Sequence, residues 1–358
     1  MGLNFAGQFY GCVGIANHAR SFGNALIKYV PDIKFTPIFP EQKNDYGMTT
    51  EFEKRIGEPV AGQPSLVYWY PYSFSEIFSK MPSPSRKIGY YIFEYNKIPV
   101  EYIDEMNKLD DVCTPSPWGV EVLKNNGLTV PCHAIRGGVD TSIFNSKNRN
   151  PDSKKFRFLH IGKKENRKST EMIVQAFANV FGGNRKVRLS LYINNFHIPN
   201  FNPSDYVFQT LSLIGKESVM KQIDVCDFEE NIVDIYNRHH VAVLPSKSEG
   251  IGLPALEGMA CGLPVITTFN SAMMDYANDK NSILIKDLKE EEVYDSVFFK
   301  DKGLWGTWMT PSLTQIEEKM KWAFESHSEA IQIGENAEKW VADNYTWDKS
   351  AKAFFEIL

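Results

Sequence analysis

Cysteine is scarce in this chain, with five residues in 358: Cys12, Cys113, Cys132, Cys226 and Cys261. They are odd in number, scattered, and contain no Cys-x-x-Cys pair, which argues against a disulfide scaffold and the usual zinc spacings. They read as reduced, mostly buried thiols of a cytoplasmic protein. No stretch approaches the ~18 apolar residues of a membrane span, and Met1-Gly2-Leu3-Asn4-Phe5 lacks the basic and apolar regions of a secretory signal. Positive charge is not in excess either. The 39 Lys and Arg against 44 Asp and Glu leave a formal charge of -5, so the balance gives no electrostatic case for a nucleic-acid partner. No Asp-x-Asp pair is present to chelate a divalent ion, so no metal and no cofactor are expected.

Apolar residues make up 43% and aromatics 13% of the chain, enough for packed cores. At 358 residues it exceeds what one core normally organises, so two domains are expected. In the first half, runs 65–70, 87–93, 111–115 and 131–135 read as strands. Helical apolar spacing over 15–30, 99–109 and 118–125 falls among them. Residues 145–155 are polar and aperiodic, and read as a linker. A second alternation begins at Phe156 and runs through helix 169–181, strand 187–193, helices 204–214 and 229–239, and strand 241–244. Strand–helix alternation of this length predicts a parallel sheet with helices on both faces, built twice. The last stretch, from Gln315, is helical with a break near Asn344-Tyr345-Thr346-Trp347.

The densest information lies in 246–266. Glu249 and Glu257 flank a glycine-bearing turn that enters a helix, with Pro254 in its first turn. Gly262 is placed to cap that helix, and Leu263-Pro264-Val265-Ile266 starts a buried strand. A helix N-terminus presents free N–H groups and a positive dipole end to an anion, typically phosphate. Gly250 and Gly252 let the backbone approach such a ligand closely. One acid precedes the anion position and the other follows it by about a helical turn. That arrangement suits a phosphate held between two sets of sugar hydroxyls.

Glu249-Gly250-Ile251-Gly252-Leu253-Pro254, Glu257 and Ala260-Cys261-Gly262-Leu263-Pro264-Val265 together resemble the Glu-x(7)-Glu signature of retaining glycosyltransferase family 4. Other segments resemble that family in the expected order. Thr114-Pro115-Ser116-Pro117-Trp118 and Gly137-Gly138-Val139-Asp140 are similar to the segments that close its first domain. Residues 160–169 are similar to the Gly-Arg-Leu-x-x-x-Lys-Gly stretch opening its second. Asn344-Tyr345-Thr346-Trp347 is similar to its Phe-Ser-Trp. The resemblance implies a GT-B fold: two Rossmann-like α/β domains with parallel sheets facing across a cleft, and a C-terminal helix crossing back to the first domain. The expected boundaries are 1–148 for the acceptor-side domain, 149–340 for the donor-side domain and 341–358 for the final helix. Three departures stand out. Lys163 occupies the family's arginine position and loses the bidentate fork, Ser169 replaces its glycine, and Phe93 falls where many members carry histidine.

Each candidate has an ordinary structural alternative. Glu249, which the resemblance places against donor-sugar hydroxyls, has the alternative of an acid favoured by a helix dipole. Glu257, expected on the ribose hydroxyls, could be a solvated first-turn residue. Lys163 and Lys168, expected to neutralise a leaving diphosphate, sit in a basic run of the kind that is usually a solvated surface. The backbones of Gly250, Ile251, Gly252 and Leu253 are expected to meet sugar and diphosphate. From the first domain, the loop at Gly11 and Gly14 resembles one that sits under the diphosphate, and Glu94 a catalytic contact. His18 reads as a packing residue before a base, and Trp305 and Trp308 as packing before an acceptor groove.

The expected activity is a metal-independent hexosyl-type transfer (EC 2.4 class) from a nucleoside-diphosphate sugar to a hydroxyl of a glycan, lipid-linked or small-molecule acceptor, with retention. Catalysis would rest on Glu249, Lys168 and Glu94. A non-catalytic nucleotide-sugar-binding scaffold, or an epimerase on the same fold, is the alternative. No basic amphipathic helix argues for peripheral membrane contact, which stays open.

Overall fold

The computed structural model describes residues 2–11, 13–42, 47–227, 229 and 231–358. Cys12, in the loop between Gly11 and Gly14, lies outside them. The chain divides into two compact units, residues 1–138 with 344–358, and residues 139–343.

Unit 1 contains β1 (Gly2–Gly7), β2 (Asp32–Pro37), β3 (Ser65–Tyr68), β4 (Lys87–Tyr90), β5 (Asp111–Thr114) and β6 (Cys132–Ala134). They form one parallel sheet in the order β2-β1-β3-β4-β5-β6. The run 87–93 stops being a strand at Tyr90, because its neighbour β5 is paired only as far as Cys113 opposite Tyr90. The strand β1, next to the edge strand β2, carries Asn4 in its interior. That side chain is fully buried yet satisfied, donating to the Val60 carbonyl at 2.9 Å and accepting from the Val60 N–H at 2.8 Å.

The final helix, Trp347–Phe355, belongs to this unit. Ala351 and Phe354 join the core around Phe5, Phe22 and Tyr90, and Phe354 meets Phe22 edge to face at 5.5 Å. Gly138 is required at that junction, since a Cβ there would come within 2.3 Å of the Trp347 backbone nitrogen.

Unit 2 contains β7 (Phe156–Ile161), β8 (Val187–Tyr192), β9 (Ile223–Val225), β10 (Val241–Leu244), β11 (Val265–Thr268) and β12 (Ile283–Ile285). Its parallel sheet runs β12-β11-β10-β7-β8-β9. An antiparallel pair, β13 (Leu288–Glu292) and β14 (Thr307–Pro311), follows. On β7 and β8, Phe158, Leu189 and Leu191 enter the core with Ile173, Phe177, Val207 and Leu211 of the helices Thr170–Phe181 and Pro203–Leu213. The polar stretch 145–155 is tied to this unit rather than loose: the Ser146 N–H reaches Glu338 at 3.0 Å and the Asn150 N–H reaches the Asn237 carbonyl at 3.0 Å. The predicted helix 229–239 is shorter, Ile232–Asn237, and Phe228 and Glu230 lie outside the described residues. The C-terminal helical stretch has a second break at Ser326, between the helices Leu313–Glu325 and His327–Asn344. Among the described residues no helix is long and apolar enough to cross a membrane.

Candidate active site

In unit 2 the strand order reverses between β7 and β10, which lie side by side while their successors run outward in opposite directions. Open parallel sheets bind ligands beyond the carboxyl ends of strands at such a reversal. The two loops leaving β7 and β10 are 162–169 and 245–252, the segments that carry most of the candidate residues. They are stitched together: the Lys247 N–H donates to the Arg167 carbonyl at 2.8 Å, and the Arg167 guanidinium donates to the Ser248 carbonyl at 2.9 Å.

Glu249 is the centre of the arrangement. Its Oε1 lies 2.5 Å from Lys168 Nζ and its Oε2 2.7 Å from an Arg167 guanidinium nitrogen. All three side chains are largely buried, at 10%, 11% and 6% exposure, so this is not a surface ion pair. Burial pushes the Glu249 carboxyl upward, but Arg167 and Lys168 outweigh it and hold the group down at about 2. Glu165 extends the cluster, accepting from Arg167 and from Lys163, each at 2.8 Å. Its pKa is also lowered, burial being overcome by Arg167, Lys163 and Lys168. Three cations against two carboxylates leave one net positive charge before any ligand arrives. The Lys163 ammonium also stands 4.3 Å over the Phe298 ring.

The helix Leu253–Ala260 starts directly after Glu249 through Gly252, whose φ of +83° is the left-handed region that favours glycine. A Cβ at Gly252 would sit 2.5 Å from the Tyr276 hydroxyl, so glycine is required twice over. The first turn of this helix leaves N–H groups without intrahelical acceptors, facing the same loop. A cavity lined by His160, Lys168, Glu249, Gly252 and Tyr276 holds about 10 Å³, the space of one water. His160 is a buried support, with its ring nitrogens 2.9 Å from the Val243 carbonyl and 3.0 Å from the Thr170 hydroxyl. Burial lowers it to about 4.

Glu257 lies in the second turn of that helix and accepts from the Tyr236 hydroxyl at 2.7 Å. Burial raises its carboxyl to about 7, the Tyr236 bond offsetting only part of the shift. The two acids of the signature therefore have opposite electrostatics, one firmly ionised and one close to half-protonated at neutral pH.

Unit 2 thus brings together Lys163, Lys168, Glu249, Gly250, Ile251, Gly252, Leu253 and Glu257. The remaining candidates, Gly11, Gly14 and Glu94, belong to unit 1. Gly11, with φ +92°, lies between β1 and the helix Gly14–Leu26. Glu94 lies just beyond β4, where burial chiefly, and the Glu94 charge least, raises the Tyr68 and Tyr95 hydroxyls. Phe93 is buried against Tyr91, Tyr95 and Trp118, with ring centroids 5.0–5.8 Å away. His18 is a packing residue, stacked on Tyr68 at 5.3 Å and lowered to about 3 by burial. Trp308 is buried on β14 against Phe299.

Sequence reasoning did not single out Arg167 and Glu165. Both stand in the basic run from Lys163 to Lys168, and nothing in such a run says which members turn inward. Ser169 has φ +56°, which accounts for the glycine that the resembling family places there.

Residues 155–297 match the family described as Glycosyl transferases group 1. The match lies wholly within unit 2. The matched segment includes the whole clamp around Glu249 and Glu257. Over 233 residues, 63% of this chain, the sequence is 25% identical to a probable sucrose-phosphate synthase of Thermosipho melanesiensis, but spans only 46% of that protein. Among solved structures, sucrose-phosphate synthase from Thermosynechococcus elongatus superposes with TM-score 0.74 at 14% identity, covering 99% of this chain and 98% of that one. HepE of Anabaena, solved with UDP and glucose, superposes with TM-score 0.70 at 14% identity, covering 100% and 99%. These likenesses show the fold alone, two α/β units each with a parallel six-stranded sheet, as in GT-B structures.

Proposed function

We propose that this chain is a retaining glycosyltransferase of the family 4 type. It would move a hexosyl group from a nucleoside-diphosphate sugar to a hydroxyl acceptor without a metal ion, in the cytoplasm. The observation that carries the reading is the buried Glu249 carboxylate, gripped by Lys168 and Arg167 where the β7–β10 reversal meets a helix N-terminus. The group 1 match over that segment supports it, as does the UDP and glucose in the HepE structure. The unpaired Cys113, Cys132, Cys226 and Cys261 fit a reducing compartment.

In this reading the diphosphate lies against Lys163, Lys168 and the N–H groups of Ile251, Gly252 and Leu253. Its charge competes with Glu249 for Lys168. One carboxylate oxygen is thereby released toward the sugar hydroxyls, while Arg167 retains the other. Fixed cations stabilise the charge that gathers on the departing diphosphate, the usual origin of such catalysis. The anomeric carbon–oxygen bond breaks ahead of attack, and the acceptor hydroxyl adds from the leaving-group face. Its proton passes to a phosphate oxygen. Glu257, in ionised form, accepts from the ribose hydroxyls, as acids do on Rossmann sheets. Unit 1 is given the acceptor side, with Glu94 as a catalytic contact, while its Gly11 and Gly14 keep the donor-binding role expected of them.

The test is a panel of UDP-, GDP- and ADP-sugars with the purified protein, following nucleoside diphosphate release with and without acceptor. At least one donor should be hydrolysed slowly without acceptor, and Glu249→Gln should cut that turnover far more than it weakens donor binding. Tight donor binding with no release under any condition would replace the enzyme with a nucleotide-sugar-binding protein. The Phe93 aromatic cluster is the feature that favours this second reading.

A further inference from the structure

Residues 293–306 join β13 to β14, and this hairpin bonds to both loops of the site. From β14 the Met309 N–H donates to the Lys247 carbonyl at 3.1 Å, and on β13 Glu291 accepts from the Lys247 ammonium at 2.6 Å. From the connecting segment, Asp295 accepts from the Asn166 N–H at 2.8 Å, and the Tyr294 carbonyl accepts from the Asn166 side-chain amide at 2.8 Å. Lys247 closes the circuit by donating to Asn166 Oδ1 at 3.1 Å. Asn166 is thereby held on three sides. It opens the short helical turn Asn166–Lys168, whose next two residues are the cations that grip Glu249.

Asp295 is buried at 4% exposure, and its two oxygens divide the work. Oδ1 accepts from the Val297 and Phe298 N–H groups at 2.8 and 3.1 Å, closing a turn within the hairpin as Asp side chains do. Oδ2 takes the Asn166 N–H. The turn carries Phe298, whose ring lies 4.3 Å from the Lys163 ammonium. One carboxylate thus links both ends of the cationic run, Lys163 through Phe298 and Arg167 with Lys168 through Asn166. Burial pushes the Asp295 carboxyl up, but its three N–H partners and Lys164 outweigh burial and hold it below the usual carboxylate range. A fixed cation stabilises a departing diphosphate only where the charge gathers, and a misplacement of about 1 Å can cost ~100-fold in rate.

We propose that Asp295 is a positioning residue of this site: through Asn166 it sets where Arg167 and Lys168 stand, and so how well a leaving diphosphate is stabilised. The inference rests on the donor reading of the Glu249 site, but the hold on Asn166 can be scored without it.

Asp295→Asn tests it with almost no change of shape. The asparagine oxygen can still accept from Val297 and Phe298, while its amide group faces the Asn166 N–H, donor against donor. The flipped amide would lose two bonds in place of one. With the donor that the wild type hydrolyses fastest, kcat should fall about tenfold, the loss of one charged hydrogen bond. UDP affinity by calorimetry should fall about threefold or less, because the diphosphate charge is greatest in the transition state. In a Lys168→Ala background the same substitution should cost kcat about threefold or less, since its effect runs through a charge already removed. A residue that only supports the fold would cost the same factor in both backgrounds. Lys247→Met frees Asn166 from the opposite side and should repeat this pattern, so the test stands if either variant folds. Amide hydrogen exchange over 163–169 should quicken in both variants, with or without a donor. The proposal is overturned if kcat is unchanged in both variants, if the loss is the same with and without Lys168, or if exchange over 163–169 does not change. A wild type that releases no nucleoside diphosphate would remove the donor reading, and exchange over 163–169 would then decide the hold on Asn166 by itself.

Discussion

Replacing Glu257 with glutamine should make the protein more stable and worse at binding a nucleotide, and the balance should depend on pH. Glu257 keeps its proton up to about pH 7 in the folded chain, against 4.5 in the unfolded chain. Folding therefore takes up a proton between those values. The contribution of Glu257 to stability is fully present below 4.5 and is lost as pH rises through about 7. At ~1.4 kcal/mol per pKa unit, the gap from 4.5 to about 7 bounds the cost of the ionised form at about 3 kcal/mol. Partial exposure of the side chain reduces that to about 1–2 kcal/mol. Glutamine keeps the acceptor for Tyr236 and removes the charge, so it recovers this amount above neutral pH and none in acid. With ~2–4 °C per kcal/mol for a unit of this size, melting should rise by about 2–8 °C near pH 8 and stay unchanged near pH 4. UDP affinity measured by calorimetry should fall about tenfold or more, as charged acceptors contribute ~1.5–3 kcal/mol per hydrogen bond. Equal melting shifts at both pH values, or no shift near pH 8, would refute the assignment of a strained carboxyl at Glu257.

The acid limb should belong to Glu249: its contribution is present above 4.5 and disappears as pH falls toward about 2. Glu249→Gln should flatten urea-measured stability across that window by about 2–3 kcal/mol relative to wild type. Lys168→Ala should raise the transfer barrier by about 2–4 kcal/mol, read as kcat/KM with the best donor. Ser169→Gly should stabilise by about 0.5–1 kcal/mol in thermal melting, because a left-handed serine is relieved. Gly252→Ala should do the reverse and abolish nucleotide binding, since its Cβ would meet Tyr276.

The helix-and-strand alternation of both units was legible in the residues, and so was the pairing of a glycine turn with a helix N-terminus at 249–260. Strand boundaries were less so. The run 87–93 is free of charge after Lys87, and only the end of β5 decides where it ceases to be sheet. The interior strand β1 is hidden because Asn4 interrupts a short apolar run, and its burial is tolerable only through Val60 and Ser65, far along the chain.

Local chemistry therefore determined what could be read one segment at a time: apolar periodicity, caps, and the glycines and acids of the phosphate-binding turn. Tertiary structure decided which charges in the run from Lys163 to Lys168 face inward, since only contact between two loops distant in sequence makes Arg167 a partner of Glu249. It also set the two signature acids apart. Their intrinsic acidities are alike, and the neighbours that the fold supplies, two cations for Glu249 and a tyrosine in an apolar setting for Glu257, drive them in opposite directions.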